Sequence, residues 1–346
     1  MKKETTIYDI ARELNISPAT VSRAINGHPA INSKTKERVD KLAREMGYQS
    51  NRFASNLRRQ RSNTLGVIVP RLNSVVMSSI ISGMERVANE AGYNLIISQS
   101  LELEKKEIEN ARTMFNSRVD ALLISLAFDT DTFDHIAPFI KKKIPVVFFD
   151  RVLDHPSCTS VVIDNFRDGY EATRHLIGQG CKNLLHVTGS LKRNVYRDRL
   201  RGFETALREF GLPYTGDSLL VTAFDAEAPQ AVMDRISAMA TAPDGIFFTN
   251  DACAASTIIL MKKAGYRIPE DIAVVGFNDD PISKVVEPNL STIHYPAIEM
   301  GEIAVQTIIS HLEGNLNVNQ GSAVVLRSEM VVRESSLRVD LMKNEK

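Results

Sequence analysis

Arg23 is the side chain of this sequence best placed to read a nucleic acid. A guanidinium can donate two parallel hydrogen bonds to the major-groove edge of a guanine. One turn before it stands Ala19, small enough to let a helix approach bases and able to touch a thymine methyl; Ser22 and Asn26 flank the same surface. The residues around Arg23, TTIYDIARELNISPATVSRAIN at 5–26, predict why these side chains face outward. Ile7, Ile10, Ala11 and Leu14 share one face of a first helix, and Thr6 with Asp9 forms a capping-box pattern at its start. Asn15 suits a tight turn that needs positive φ. Ser17 suits an N-cap and Pro18 the first position of a second helix. With Val21 and Ile25 turned inward, Pro18, Ala19, Ser22, Arg23 and Asn26 are left outside. The pattern is that of a helix-turn-helix; a generic pair of packed helices is the plainer alternative.

A second set of polar and aromatic residues follows short apolar runs later in the chain. It comprises Asn73, Asp150 with Arg151, Asn165 with Phe166, Arg197, Phe224, Asn250 with Asp251, and Asn278-Asp279-Asp280. Amides, carboxylates and an arginine fork around a concave site suit a polyhydroxylated ligand, whose hydroxyls both donate and accept. An aromatic such as Phe224 can cover an apolar sugar face. Asp and Asn after strands also cap helices and form turns, and for Asp251 capping is at least as good a reading. Asp164 and Asp168 read as structural, and Phe166 could be packing alone.

The elements that must position these sets differ in kind. A third amphipathic helix is expected at about 33–46, with Val39, Leu42 and Met46 inward and Gly47 as its stop. From residue 65 apolar runs alternate with helical patterns: 65–70, 93–99, 119–126, 144–150, 159–164, 183–189, 218–224, 244–250 and 271–278. Near-continuous apolar strands between helices mean parallel sheets covered on both faces. Nine runs suggest two doubly wound lobes, with ligand at the carboxyl ends of the strands, in the cleft between them.

The net charge of zero is a cancellation. Residues 1–63 hold 13 Lys and Arg against 6 Asp and Glu, while the remainder holds 29 against 36. A basic N-terminal segment on an acidic body fits a DNA-binding headpiece on a domain that does not itself bind DNA. The three cysteines are scattered without ligand spacing, so neither a disulfide framework nor a metal site is expected, and no cofactor. No signal peptide or membrane-length apolar run is read, which suggests a cytoplasmic protein.

In order, the chain shows a helix-turn-helix, a third helix, the basic segment NRFASNLRRQRSNT at 51–64, then LGVIVP at 65–70. With SPATVSR at 17–23, INSKTKERV at 31–39 and MGYQSNRFASNLR at 46–58, it resembles the lac repressor (LacI/GalR) family of bacterial transcription regulators over nearly its whole length. The resemblance implies an all-α helix-turn-helix headpiece at 1–50 and a hinge helix or linker at 51–63. The α/β body at 64–340 would have two lobes of periplasmic-binding-protein type. We expect the first lobe near 64–163 with 292–322 and the second near 164–291 with 323–340.

By the same resemblance Tyr8, Thr20, Tyr48 and Asn51 contact phosphate or sugar, with Ser17 and Ala54 in the DNA-facing set. Leu57 wedges into the minor groove from a hinge helix too short to be stable alone. The resemblance also implies an effector-binding arginine in RDRLRGF, which the spacing assigns to Arg197, along with Phe224 and the TND at 249–251. Two departures from the family pattern stand out. Asn278 replaces a usual carboxylate, and Asn73-Ser74-Val75-Val76 lacks two usual aromatics, which argues against a purine sandwiched between rings.

The partners expected are a near-palindromic double-stranded operator, a small effector of carbohydrate type and a second copy of the chain. The helix at 75–92 would contribute to the dimer, and the short tail after 335 argues against a tetramer. Control by a partner protein or a phosphorylated metabolite is the alternative. An α/β enzyme is a distant rival, since no GxGxxG, GxxxxGK(S/T) or GxSxG motif occurs.

Overall fold

The computed structural model describes residues 5–48, 61–153 and 155–338, and divides into two compact units, Met1–Ser62 and Asn63–Lys346. The described residues of the first unit form a three-helix core: α1 (Ile7–Leu14), α2 (Pro18–Ile25) and α3 (Ser33–Glu45). Its local signals act as expected. The Asp9 carboxylate accepts from the Thr6 backbone N–H at 3.0 Å and its hydroxyl at 2.7 Å. Asn15 adopts φ 53°, left-handed, and turns the chain. The Ser17 hydroxyl caps α2 by accepting from the Thr20 N–H at 3.1 Å. Ile10, Ala11, Val21, Ala24, Val39 and Ala43 close the core. Ala24 is buried and Ile25 half-buried, so the inward face of α2 is centred on Val21 and Ala24. Asn51, Ala54 and Leu57 lie outside the described residues.

The described residues of the second unit form twelve strands. In chain order these are β1 (Thr64–Val69), β2 (Asn94–Gln99), β3 (Ala121–Ile124), β4 (Val146–Phe149), β5 (Thr159–Ile163), β6 (Leu184–Thr188), β7 (Leu219–Val221), β8 (Gly245–Phe248), β9 (Ala273–Val275), β10 (Thr292–His294), β11 (Ala323–Leu326) and β12 (Glu329–Val331). One sheet has the order β11-β5-β4-β3-β1-β2 and a second β7-β6-β8-β9, every neighbouring pair parallel. Strands β10 and β12 form a short antiparallel ribbon. The interior strands β3, β4, β6 and β8 are buried along their whole lengths, as both-face covering requires.

The coverings are α4 (Val75–Glu90), α5 (Glu104–Asn116), α6 (Ala137–Lys141), α7 (Asn165–Gly178), α8 (Asn194–Glu209), α9 (Ala228–Ala238), α10 (Asp251–Lys263) and α11 (Ala297–Leu312).

The chain leaves the first sheet after β5, returns through β10 into α11, and leaves again after β11 into β12. Residues 323–326, expected with the second lobe, instead form an edge of the first sheet, registering Ala323–Leu326 beside Ser160–Ile163. The reason is local: Thr159 Oγ1 donates to the Val318 carbonyl at 2.9 Å, and Ser160 N–H to the Ser322 carbonyl at 2.9 Å, so the segment is already docked on β5 before β11 begins.

Two helix pairs pack closely enough to need glycine. On α4 and α11, a side chain at Gly83 or Gly301 would strike the facing backbone at Ile298 or Ile80. On α7 and α8, a side chain at Gly169 or Gly202 would strike the backbone of Arg199 or Phe166. The second pair fixes where the side chains of α8 fall. No helix among the described residues is long and apolar enough to cross a membrane.

Candidate functional sites

In the first unit the chemistry-bearing face is α2. Arg23, Ala19 and Asn26 are exposed, Pro18, Thr20 and Ser22 half-buried, and Tyr8 on α1 is exposed. The hydroxyls of Ser17 and Thr20 lie 2.9 Å apart, so the start of the helix is held by its own cap. Asn26 donates its amide to the Ser22 carbonyl at 2.7 Å. That bond ties Asn26 to the helix end and leaves Arg23 as the freely projecting donor. Tyr48 packs half-buried against the three-helix core, after Gly47 ends α3 with φ 63°.

In the second unit a cluster of charged and aromatic side chains forms where the ends of the two sheets meet. Asp150 follows β4 with φ 56° and is buried. Its carboxylate accepts from the Tyr295 hydroxyl at 2.9 Å and the Ser125 hydroxyl at 3.4 Å. Burial and the Asp150 charge hold the Tyr295 phenol well above its ordinary range, so Tyr295 stays a donor. Arg151 lies with its guanidinium 4.4 Å from the Phe128 ring centroid. It donates to Glu102 at 2.7 Å and to the Tyr196 hydroxyl at 3.2 Å. Burial opposes its charge, but Tyr196, Glu102 and Asp150 outweigh that and raise its pKa further.

On α8 the face that turns inward carries Tyr196, Arg199, Leu200 and Phe203. Arg199 is buried and its guanidinium sits 3.5 Å from the centroid of Phe277, beyond β9. Its Nε donates to Asn165 Oδ1 at 2.9 Å. Burial lowers its pKa from the usual arginine value. Asn194, at the start of α8, bridges to the other sheet: its Oδ1 accepts from the Val152 N–H at 2.9 Å and its Nδ2 donates to the Asp150 carbonyl at 3.2 Å. Phe224, with φ 54°, is half-buried with its ring 6.1 Å from that of Tyr196.

Of the seven residues expected to bind an effector, the structure brings Asp150 and Phe224 to this cluster. Arg197 is on the wrong side of α8: it is exposed and lies 3.6 Å from Asp198. The helical phase set by Gly202 against Phe166 turns Arg199 inward in its place. Asn73 is exposed just ahead of α4. Phe166 is partly exposed, with Arg201 across its outer face. Asn250 serves as the N-cap of α10, accepting from the Cys253 N–H at 2.9 Å, the role weighed for its neighbour Asp251.

Asp251 is fully buried. It accepts from the Thr292 hydroxyl and the Asp280 N–H, both at 2.8 Å, and packs so tightly on Gly276 that no side chain fits there. Burial pushes its carboxyl up to about 7, and the Asp280 carboxyl up to about 6. Asn278, at φ 121°, is held half-buried over Asp280 with its N–H on the Ile293 carbonyl. His186 is sealed between Phe203 and Phe247, its pKa pushed down to about 3 by burial, which makes it a core residue and no proton-transfer group.

Glu102, Phe128, Tyr196 and Tyr295 were not read from the sequence as site residues. Glu102 reaches Arg151 because both it and Leu101 take left-handed backbone, φ 64° and 53°, which no side-chain pattern announces. Tyr196 could have been found, since it lies three residues before Arg199 and seven before Phe203 on one helical face. Among the described residues no group of three His, Cys, Asp or Glu could hold a metal ion.

Comparison with known proteins gives two matching sequence profiles. "Bacterial regulatory proteins, lacI family" matches residues 6–51, and "Periplasmic binding protein-like domain" matches residues 173–336. Catabolite control protein A of Priestia megaterium is 27% identical over 332 residues, 96% of this chain and 99% of that protein. The ribose operon repressor of Haemophilus influenzae is 28% identical over 333 residues, 95% and 98%. A solved lac repressor dimer, bound to operator and an anti-inducer, superposes with a TM-score of 0.85 at 24% identity, covering 97% of this chain and 100% of that one.

Proposed function

Since the chain belongs to the lacI family of bacterial regulatory proteins, which are transcription regulators and not enzymes, we propose that it is a cytoplasmic repressor. It binds a near-palindromic operator as a dimer, and a polyhydroxylated small molecule between its lobes sets its DNA affinity. The observation that carries this reading is the outward face of α2. Arg23 projects freely there from a helix whose start is fixed by Ser17, on a segment with a surplus of positive charge. Such a helix places an arginine at base edges, while the basic surroundings supply sequence-independent attraction to phosphates. Tyr8, Ser17, Thr20 and Tyr48 contact the backbone in this reading; Asn51, Ala54 and Leu57 belong to the hinge that enters the minor groove.

The second copy has two apolar surfaces to cover. Ile96 and Ile97 are exposed on the edge strand β2, with Leu101 and Leu103 just beyond it. In the second lobe Ile259 on α10, Ile282 and Val285 are exposed around a groove also lined by Ala255 and Val286. An uncovered apolar edge strand is a liability that association removes. The effector reading rests on the cluster of Asp150, Arg199, Asn165 and Tyr295, which offers acceptors, donors and aromatic faces within one buried region.

The test is selection of duplexes from a random pool by the full chain, followed by binding of the selected duplex with and without Arg23→Ala. A two-fold symmetric consensus, with affinity lost on that duplex far more than on random DNA, is expected. An asymmetric or absent consensus overturns the reading.

A further inference from the structure

Among the described residues, three segments carry the chain between the two lobes, and they lie side by side. Ile163 at the end of β5 registers with Leu326 at the end of β11, and His294 on β10 with Glu329 on β12. From β5 the chain passes through Asp164 into α7, and from β11 through Arg327 and Ser328 into β12. One side-chain contact ties these two crossings together. Asp168, in the first turn of α7, faces Ser328, and both are buried. The Ser328 hydroxyl oxygen lies 2.6 Å from one carboxyl oxygen of Asp168 and 2.5 Å from the other.

That geometry does not suit an ionised carboxylate. A hydroxyl has one proton, and shared between two oxygens it does not hold both this close. A neutral carboxyl removes the conflict. Its own O–H donates to Ser328 Oγ while the Ser328 O–H donates to its other oxygen, and each short contact becomes a hydrogen bond. Burial acts in the same sense, pushing the Asp168 carboxyl up to about 6 against the opposing influence of Ser328 and Arg199. The other charged groups around this place have partners or face solvent. Arg199 on α8 is taken up by Asn165 and the Phe277 ring. Asp164 caps α7 by accepting from the Arg167 N–H at 3.0 Å, and the Arg167 side chain is exposed. Arg327 and Glu329, on either side of Ser328, are exposed and pair with each other at 3.4 Å. His294 on β10 pairs with Asp279 at 3.2 Å, and His175, two turns along α7, bonds the Ser336 hydroxyl at 2.7 Å.

We propose that Asp168 and Ser328 form a proton-operated latch between the lobes, which pins the β5–α7 crossing to the β11–β12 crossing when closed and releases them when the proton leaves. Without its proton Asp168 is a buried charge held by one hydroxyl, and parting the crossings to admit water then relieves it. The direction follows from the raised carboxyl. The latch is in full force below 3.8 and is lost as pH rises through about 6. The body is therefore stiffer between its lobes in acid than at neutral pH. The latch depends on neither the operator nor the ligand proposed above.

Hydrogen exchange of the full chain, followed by mass spectrometry and corrected for the intrinsic rate at each pH, tests it. The peptides read are those covering 163–168 and 326–331. In the wild type their protection should fall about tenfold between pH 5 and pH 8, the change that a carboxyl moving from about 6 to 3.8 on opening produces. Asp168→Asn keeps a donor and an acceptor toward Ser328 and cannot ionise, so its protection should stay near the acid value at both pH values. Ser328→Ala should lower protection at both. Wild-type protection that does not change with pH overturns the latch. So does a fall that persists in Asp168→Asn, which assigns the titration to another group, or protection untouched by Ser328→Ala.

Discussion

The outward face of α2 and the arginine cluster between the sheets are built on opposite principles. The first is one continuous stretch, Ser17 to Asn26, with Arg23, proposed to read base edges, in solvent and its geometry fixed by a neighbouring cap. The second gathers residues from both sheets and from the crossing segments, buries its charges, and has each functional group also holding another element. Tyr295 braces Asp150, Asn165 braces Arg199, and Asn194 joins the two sheets. In the proposed reading, contact with DNA and staying folded are separable tasks in α2. Between the lobes, the groups proposed to meet ligand are the same ones that hold the fold.

The strongest way to break that contrast is a pair of arginines two residues apart. Arg199→Ala leaves Asn165 without its donor and Phe277 without its cover. It should destabilise the body by about 3 kcal/mol, lowering its unfolding temperature by several degrees. Arg197→Ala, on the outer face, should change it by less than about 0.5 kcal/mol. Equal losses in calorimetric melts would show that the cluster is not where the stability resides.

The pH dependence should follow the buried acids. Burial raises the Asp251 carboxyl from 3.8 to about 7, so the folded state keeps a proton that the unfolded state has released. Its contribution to stability is therefore full below 3.8 and is lost as pH rises through about 7. Asp168 and Asp280, both raised to about 6, act in the same direction. Asp251→Asn cannot ionise, and its stability should vary less with pH over that window. An unchanged slope would assign the pH dependence to other groups.

Arg23→Ala should cost about 1–3 kcal/mol of affinity for the selected operator, with little loss on random duplex and no change in melting temperature. Equal loss on both DNAs would reassign Arg23 to phosphate contact. Ser17→Ala is the smallest of these effects. Loss of the cap should destabilise the headpiece by about 1 kcal/mol and leave the body transition where it was. A shift in the body transition would mean the two units do not unfold independently.

The same contrast decides what the sequence disclosed. The capping box at Thr6 and Asp9, the left-handed Asn15 and the Ser17-Pro18 start are all local, and each is readable from two or three adjacent residues. Strands β1 to β9 announced themselves because each lies in a longer apolar run of the sequence. Strands β10, β11 and β12 did not: Thr292–His294 and Glu329–Val331 are three residues each and carry polar ends, and Ala323–Leu326 is half exposed on an edge. The interlobe residues depended on helical phase, where counting from a motif gave Arg197 and packing at Gly202 gave Arg199. They depended as well on left-handed backbone at Leu101 and Glu102, which no residue type there foretells.

The docking of β11 beside β5 has a consequence for the order in which the chain can be finished. A polypeptide emerging from its N-terminus presents β1 to β5 with the edge of β5 open until residue 326 has appeared. By then the strands of the second sheet are already out, and Ser335, which ties Val274 on β9, follows shortly after. Neither lobe is complete during most of synthesis, and both close within the last stretch of translation. Folding of this body is thus expected to be a late event, in which the two lobes mature together.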